Sequence, residues 1–309
     1  MIRFNASKAT ISTKRPRMSR SPRFFAHITA ALLSLWVRGS TVTSASEFKI
    51  TPDIVYGHKA GMALTFDMVR PENPNGAAVL FMVSGGWVSG WAPPESIVRK
   101  NHLTPNPFEE LVDKGYTLFL VRHGSSPYFK VPEAVADVRR ATRFIRMHAE
   151  DYGIDHKRMG VFGMSAGGHL SLMLGTTADD GNPEAKDPVD RISDRVTAVV
   201  AIFPPTKIDE FFPLRKRFAA LEFPDDQAES VSPLLKASSD DAPTLLIHGD
   251  KDELVPISHS ERMEVAFKEK MVPAELLVIP GAAHGFQGVD QARSQEALVN
   301  WFELYLRKK

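Results

Sequence analysis

From about Phe48 onward, apolar and polar positions fall into two alternating rhythms. Residues 63–69 (ALTFDMV) alternate in period two, as a half-covered strand does. Residues 77–83 (AAVLFMV) and 116–121 (YTLFLV) are almost continuously apolar, the pattern of strands covered on both faces. Residues 159–163, 196–203, 242–249 and 274–281 continue the series. Between them lie helical periods. Ala134, Val138, Ala141, Ile145 and Ala149 recur every three or four positions and give one apolar stripe, with Pro132 suited to the first turn. Residues 165–174 read as a helix of small side chains able to approach a sheet closely. A last helix over 294–306 places Ala297, Trp301 and Leu304 on one face.

This alternation predicts an α/β fold, a mostly parallel sheet with helices on both faces. Right-handed crossovers then align the strand C-termini along one edge, where ligands bind. Residues 204–241 break the rhythm with Phe, Pro and charge. They read as a small cap inserted over the strand ends, or else as a surface excursion covering a helix.

Charge changes the picture at the N-terminus. The first 45 residues hold eight of the 38 Lys and Arg and none of the 37 Asp and Glu, so the rest is acidic, with 30 basic residues against 37. An acidic body excludes nucleic acid as the expected partner. Arg17, Arg20 and Arg23 precede an apolar run at 24–37, and small residues Thr43 and Ala45 follow. These are the parts of a secretory leader, expected over 1–45, with the remaining domain over 46–309 and an exported product. The run is short for a bilayer span. The chain has no cysteine, which removes thiol nucleophiles, thiolate metal sites and disulfides. No histidine pair has metalloprotease spacing, so neither metal nor organic cofactor is expected.

The candidate chemistry starts in GMSAG, at 163–167, between a strand and a helix. A sharp turn there exposes the hydroxyl of Ser165 at a helix N-terminus, and flanking glycines avoid collision with strand and helix. A serine needs a base. Of ten histidines, His284 sits in a glycine-flanked loop (PGAAHGF) after the last strand. His169 and His248 are expected to pack, whereas His123 lies past a strand end and could contact substrate. The base needs an acid to orient it. In HGDKDELVP, Asp252 lies far enough into the loop to reach His284, and Asp250 suits a turn. Backbone donors for an oxyanion are expected from Gly85, Gly86 and Ala166. Trp87 and Trp91 could line the pocket or pack beneath the loop.

These motifs, in this order, resemble the esterase/lipase branch of the α/β-hydrolase superfamily. That group includes acetyl-xylan and feruloyl esterases and stands near prolyl-oligopeptidase-type catalytic domains. The resemblance runs from about Val55 to the C-terminus and implies a Ser165–Asp252–His284 triad acting on small acyl esters, such as acetyl or feruloyl groups on polysaccharide. The usual His-Gly-Gly-Gly-Trp becomes Val83-Ser84-Gly85-Gly86-Trp87, without the histidine that braces the oxyanion loop. The tyrosine-arginine signature after the next strand becomes VRHGSSP. Two rivals are a peptidase, which would favour an N-terminal gating domain, and a non-catalytic binding protein, which would ordinarily lack a triad member. Composition leaves the oligomeric state open.

Overall fold

The computed structural model describes residues 47–98 and 106–308, all within one unit spanning Ser44–Lys309. The leader expected over 1–45 lies outside the described residues.

Eight strands form one sheet. They are β1 (Phe48–Lys59), β2 (Met62–Pro71), β3 (Ala78–Met82), β4 (Thr117–Val121), β5 (Met159–Met164), β6 (Ala198–Ile202), β7 (Thr244–Gly249) and β8 (Ala274–Ile279). Their order is β1-β2-β4-β3-β5-β6-β7-β8. β2 pairs antiparallel with both β1 and β4, and every later pairing is parallel. The apolar runs read from sequence are therefore strands; five of the seven are trimmed by one or two residues at one or both ends, and β2 and β5 are slightly longer than read. β1 was not foreseen. Two bulges interrupt its register and Asp53 takes φ 52, so its side chains lose the period-two signature of an edge strand. A buried ion pair between Arg122 and Asp67, with Tyr56 donating to the Arg122 carbonyl, ties these antiparallel strands to β4.

Helices cover both faces. Described helices are α1 (Pro94–Val98), α2 (Pro107–Asp113), α3 (Val131–Met147), α4 (Ala166–Thr176), α5 (Ser258–Glu269) and α6 (Gly288–Leu306). Alternation within strands splits the core. On β3, Leu80 and Met82 join α3, α4 and α5, while Val79 and Phe81 join α2 and α6. The stripe foreseen on α3 is buried from Ala134 to Ala149. Each large side chain so enclosed contributes about 1.5–3 kcal/mol, more than helix propensity supplies. The α6 face differs from expectation. Leu298, Trp301 and Phe302 are buried, whereas Leu304 is exposed because it lies on the far side of the helix.

The 204–241 segment contains four short 3-10 turns, Ile208–Leu214, Ala219–Leu221, Asp225–Val231 and Pro233–Leu235. It is anchored from within and below. The Ile208 N–H donates to Ser232 Oγ, Lys130 donates to the Ala219 carbonyl, and Ile208, Phe211, Ala220 and Leu221 are buried. The expected cap is thus a packed layer over α3 and α4.

Candidate active site

Ser165 occupies the turn between β5 and α4 at φ 53 and ψ −120, a region that ordinary side chains enter only under constraint. The constraint is visible in its neighbours. A Cβ on Gly163 would lie 2.3 Å from the Gly167 carbonyl carbon, and one on Gly167 would lie 2.6 Å from the Met82 carbonyl oxygen. Strand and helix therefore approach to backbone contact. The Ser165 N–H is held by the Ile202 carbonyl at 2.9 Å, which fixes the turn against β6.

Three predicted side chains meet here. Ser165 Oγ is 3.0 Å from His284 Nε2, and His284 Nδ1 is 2.7 Å from Asp252 Oδ2. In the neutral tautomer Nδ1–H donates to the carboxylate and Nε2 accepts from the hydroxyl. The Asp252 carboxylate is enclosed. Its Oδ1 accepts from the N–H groups of Leu254 and Val255, at 3.0 and 2.9 Å. Burial alone would raise its pKa. Hydrogen bonds from His248, His284 and Val255 outweigh that and hold the carboxyl well below the usual range. His248 is itself fully buried between Ser260 Oγ and the Val255 carbonyl, so it buttresses the acid. Asp250 instead accepts from the Gly281 N–H at 2.6 Å and ties together the loops that follow β7 and β8.

The expected oxyanion donors separate. Gly86 and Ala166 line a small pocket with Ser165, and among the described residues neither N–H has a hydrogen-bond partner. Gly85 is a correction. Its N–H donates to the Val88 carbonyl at 3.0 Å, and the return bond closes a bridge within the loop. That loop folds back on itself, which sequence spacing does not reveal.

His123 is a second correction. It is 4% exposed, and its two ring nitrogens lie 2.8 Å from the Gly124 carbonyl and 2.8 Å from Ser84 Oγ. It braces the loop after β3 instead of lining the pocket beside Ser165. The brace is broader. Ser89 donates its hydroxyl to the Val83 carbonyl and receives the His123 N–H, while the Ser126 N–H donates to the Trp87 carbonyl. Both departures from the family pattern are thus one arrangement. The histidine missing from the loop is replaced by one from the neighbouring strand end.

Trp87 lines the small pocket but is 3% exposed, and its indole N–H donates to His169 Nδ1 at 3.2 Å. His169 passes the link onward, Nε2–H donating to the Val231 carbonyl at 2.7 Å. One buried imidazole thereby joins the loop after β3, α4 and the 204–241 segment. Burial lowers its pKa to about 4, so it is neutral. Trp91, by contrast, is exposed. Pro205, Phe211 and Phe218 from the 204–241 segment complete the pocket with Leu254 and Val255, leaving about 20 Å³. Phe218 went unremarked in sequence, yet its ring would lie 2.9 Å from a Cβ on Gly86. Among the described residues no group of acidic, histidine or cysteine side chains has the arrangement of a metal site, and no helix is long and apolar enough to cross a membrane.

The chain is similar to known proteins. Esterase LipC of Mycobacterium tuberculosis is 27% identical over 257 residues, which is 78% of this chain and 61% of LipC. The chain thus spans about three fifths of that relative's length. Ethyl acetate hydrolase of Pseudomonas putida is also 27% identical, over 78% of this chain and 77% of its own. Among solved structures, an acetyl ester-xyloside bifunctional hydrolase from Caldicellulosiruptor lactoaceticus superposes with a TM-score of 0.63 at 25% identity, covering 86% of this chain and 96% of that one. The fold is that of the α/β-hydrolases. The BD-FAE family model matches residues 66–267, from β2 through the serine turn and the acid loop into α5, and the chain belongs to the BD-FAE family.

Proposed function

We propose that the protein is a serine carboxylesterase that cleaves small acyl esters through an acyl-enzyme, with acetyl groups on a carbohydrate as the leading substrate class. The observation that carries this reading is the unbroken hydrogen-bond chain from Ser165 through His284 to Asp252, set beside two backbone N–H groups that are unengaged among the described residues. His284 Nε2 takes the hydroxyl proton as Ser165 Oγ attacks the ester carbonyl carbon. The carbonyl oxygen gains charge and accepts hydrogen bonds from the Gly86 and Ala166 N–H groups. His284 then gives its proton to the leaving alkoxide. Water, deprotonated by the same imidazole, attacks the acyl-serine and frees the acid. Asp252 stays ionised and stabilises the imidazolium in both halves.

The small pocket supports short acyl groups, since about 20 Å³ beside Ser165 holds only one or two heavy atoms. The names of two similar proteins, an ethyl acetate hydrolase and an acetyl ester-xyloside bifunctional hydrolase, support acetyl as the acyl group. The test is hydrolysis of p-nitrophenyl acetate. Ser165→Ala is expected to lose at least about a thousandfold in kcat/KM while keeping its thermal transition. Turnover by this variant at the wild-type rate would refute the reading.

Export is proposed on the basic and apolar pattern of residues 1–45 alone. N-terminal sequencing of the protein from its native host tests it. A start near residue 46 is expected, and a mature chain beginning at Met1 or Met18 would exclude it.

A further inference from the structure

Two aromatic walls of the small pocket beside Ser165 come from the 204–241 segment, and they are held differently. Phe211 is 5% exposed, and its ring centroid lies 5.0 Å from that of the buried His259, so it belongs to the packed interior. Phe218 is half-buried. Its backbone is fixed on both sides, the N–H donating to the Leu214 carbonyl at 2.9 Å and the carbonyl accepting from the Leu221 N–H at 3.0 Å. Its ring is set by weaker contacts. One edge lies against Gly86, where an added Cβ would come within 2.9 Å of Cδ1. The ring meets Trp87 edge to face at 6.5 Å between centroids, and the Arg217 guanidinium lies over it at 5.2 Å.

Attack at the ester carbon fixes where each arm of the substrate points. The carbonyl oxygen faces the Gly86 and Ala166 N–H groups, and the leaving oxygen must come within reach of His284 Nε2 to take up its proton. Gly86 and Ala166 both line the small pocket, and His284 does not. The alcohol arm therefore departs on the histidine side, and the acyl arm is the one that extends between Phe218, Phe211 and Pro205. With about 20 Å³ there, a methyl is accommodated and a longer chain collides with the aromatic wall.

Resting on the esterase reading, we infer that Phe218 sets the length of acyl chain the protein accepts, its ring closing the small pocket over Gly86 so that acetyl fits and longer chains do not. It acts by occupying volume and takes no part in proton transfer. Removing this ring opens the pocket outward, because Phe218 is half-buried, whereas removing Phe211 leaves a void inside the packed segment.

Two ester series test this. p-Nitrophenyl acetate, butanoate and hexanoate vary the acyl arm, and ethyl, butyl and hexyl acetate vary the alcohol arm. Values of kcat/KM are measured in the wild type, Phe218→Ala and Phe218→Leu. In the wild type, p-nitrophenyl hexanoate is expected to fall about a hundredfold or more below the acetate. In Phe218→Ala that gap is expected to narrow by about tenfold or more, with Phe218→Leu between the two, while the ratio of hexyl to ethyl acetate stays within about twofold of its wild-type value. A wild type that takes hexanoate as readily as acetate, an acyl ratio unchanged in the variants, or an equal shift in the alcohol series overturns the inference. Phe218→Leu decides by the same ratios if the alanine protein does not fold. Absence of wild-type turnover on all six esters would count against the esterase reading, and calorimetric titration with acetate and hexanoate, the product acids, then decides the role of Phe218. Hexanoate bound about tenfold more tightly by the variant than by the wild type supports it. Hexanoate bound no more tightly by the variant, or by neither protein, overturns it.

Discussion

Asp250 and Asp252 lie two positions apart on one loop, yet their carboxylates have different partners. Asp252 meets His284, and Asp250 meets the Gly281 N–H. Asp252→Asn is therefore expected to lower kcat/KM on p-nitrophenyl acetate by about a thousandfold or more, since the amide stabilises the wrong tautomer. Asp250→Asn is expected to stay within about twofold. The reverse order would reassign the acid. At this scale Ser165, Asp252 and His284 were legible as candidates because each lies within five residues of a strand's C-terminal end, among glycines or turn residues. Gly85 and His123 were misread because hydrogen bonding, not position, decides their roles. His123 was placed on the right edge of the sheet, but the hydroxyl that turns it inward belongs to Ser84, 39 positions earlier.

The brace between the loop after β3 and the loop after β4 is a property of two elements, not of one side chain. If His123 and Ser84 act through one hydrogen bond, their effects will not add. His123→Gln and Ser84→Ala are each expected to reduce kcat about tenfold with KM little changed, because under the proposed mechanism the loosened donors are needed chiefly in the transition state. The double variant is expected to lose no more than the worse single one, and a fully multiplicative loss would dissolve the coupling. Elements with strong apolar periods, the parallel strands and α3, were readable. β1 hid behind its bulges, and α5 was overlooked although Met263 and Phe267, four apart, are its buried anchors. The composition of the 204–241 segment announced an excursion, but its 3-10 turns follow from tertiary anchors such as Ser232 that no local period encodes.

For the whole molecule, buried neutral histidines set the response to acid. His169 and His259 both have pKa values lowered to about 4, chiefly by burial, and Arg262 adds to the effect on His259. Burial lowers His123 as well. Between about pH 6.5 and about pH 4 the unfolded chain binds protons that the folded chain refuses, so stability falls as pH drops through that window. For His169 alone the gap is worth about 3 kcal/mol. Thermal melts from pH 7 to pH 4.5 are expected to show a declining transition temperature, with a shallower decline in His169→Gln. A flat profile would mean that these imidazoles are solvated. The two-faced α/β architecture was readable at this scale, because doubly covered strands leave continuous apolar runs. The site's enclosure was not, since it arises from chain segments far apart in sequence. One consequence follows from how that enclosure is divided. The 204–241 segment contributes Phe211 and Phe218 to the wall over Ser165 but no group to proton transfer, and the His169 bond to Val231 attaches it through a backbone carbonyl. Under the proposed esterase reading, part of the wall that meets an ester and the path that moves its proton are therefore carried by separable stretches of polypeptide. Grafting a foreign segment there is expected to change which esters are accepted while the proton path stays as it is.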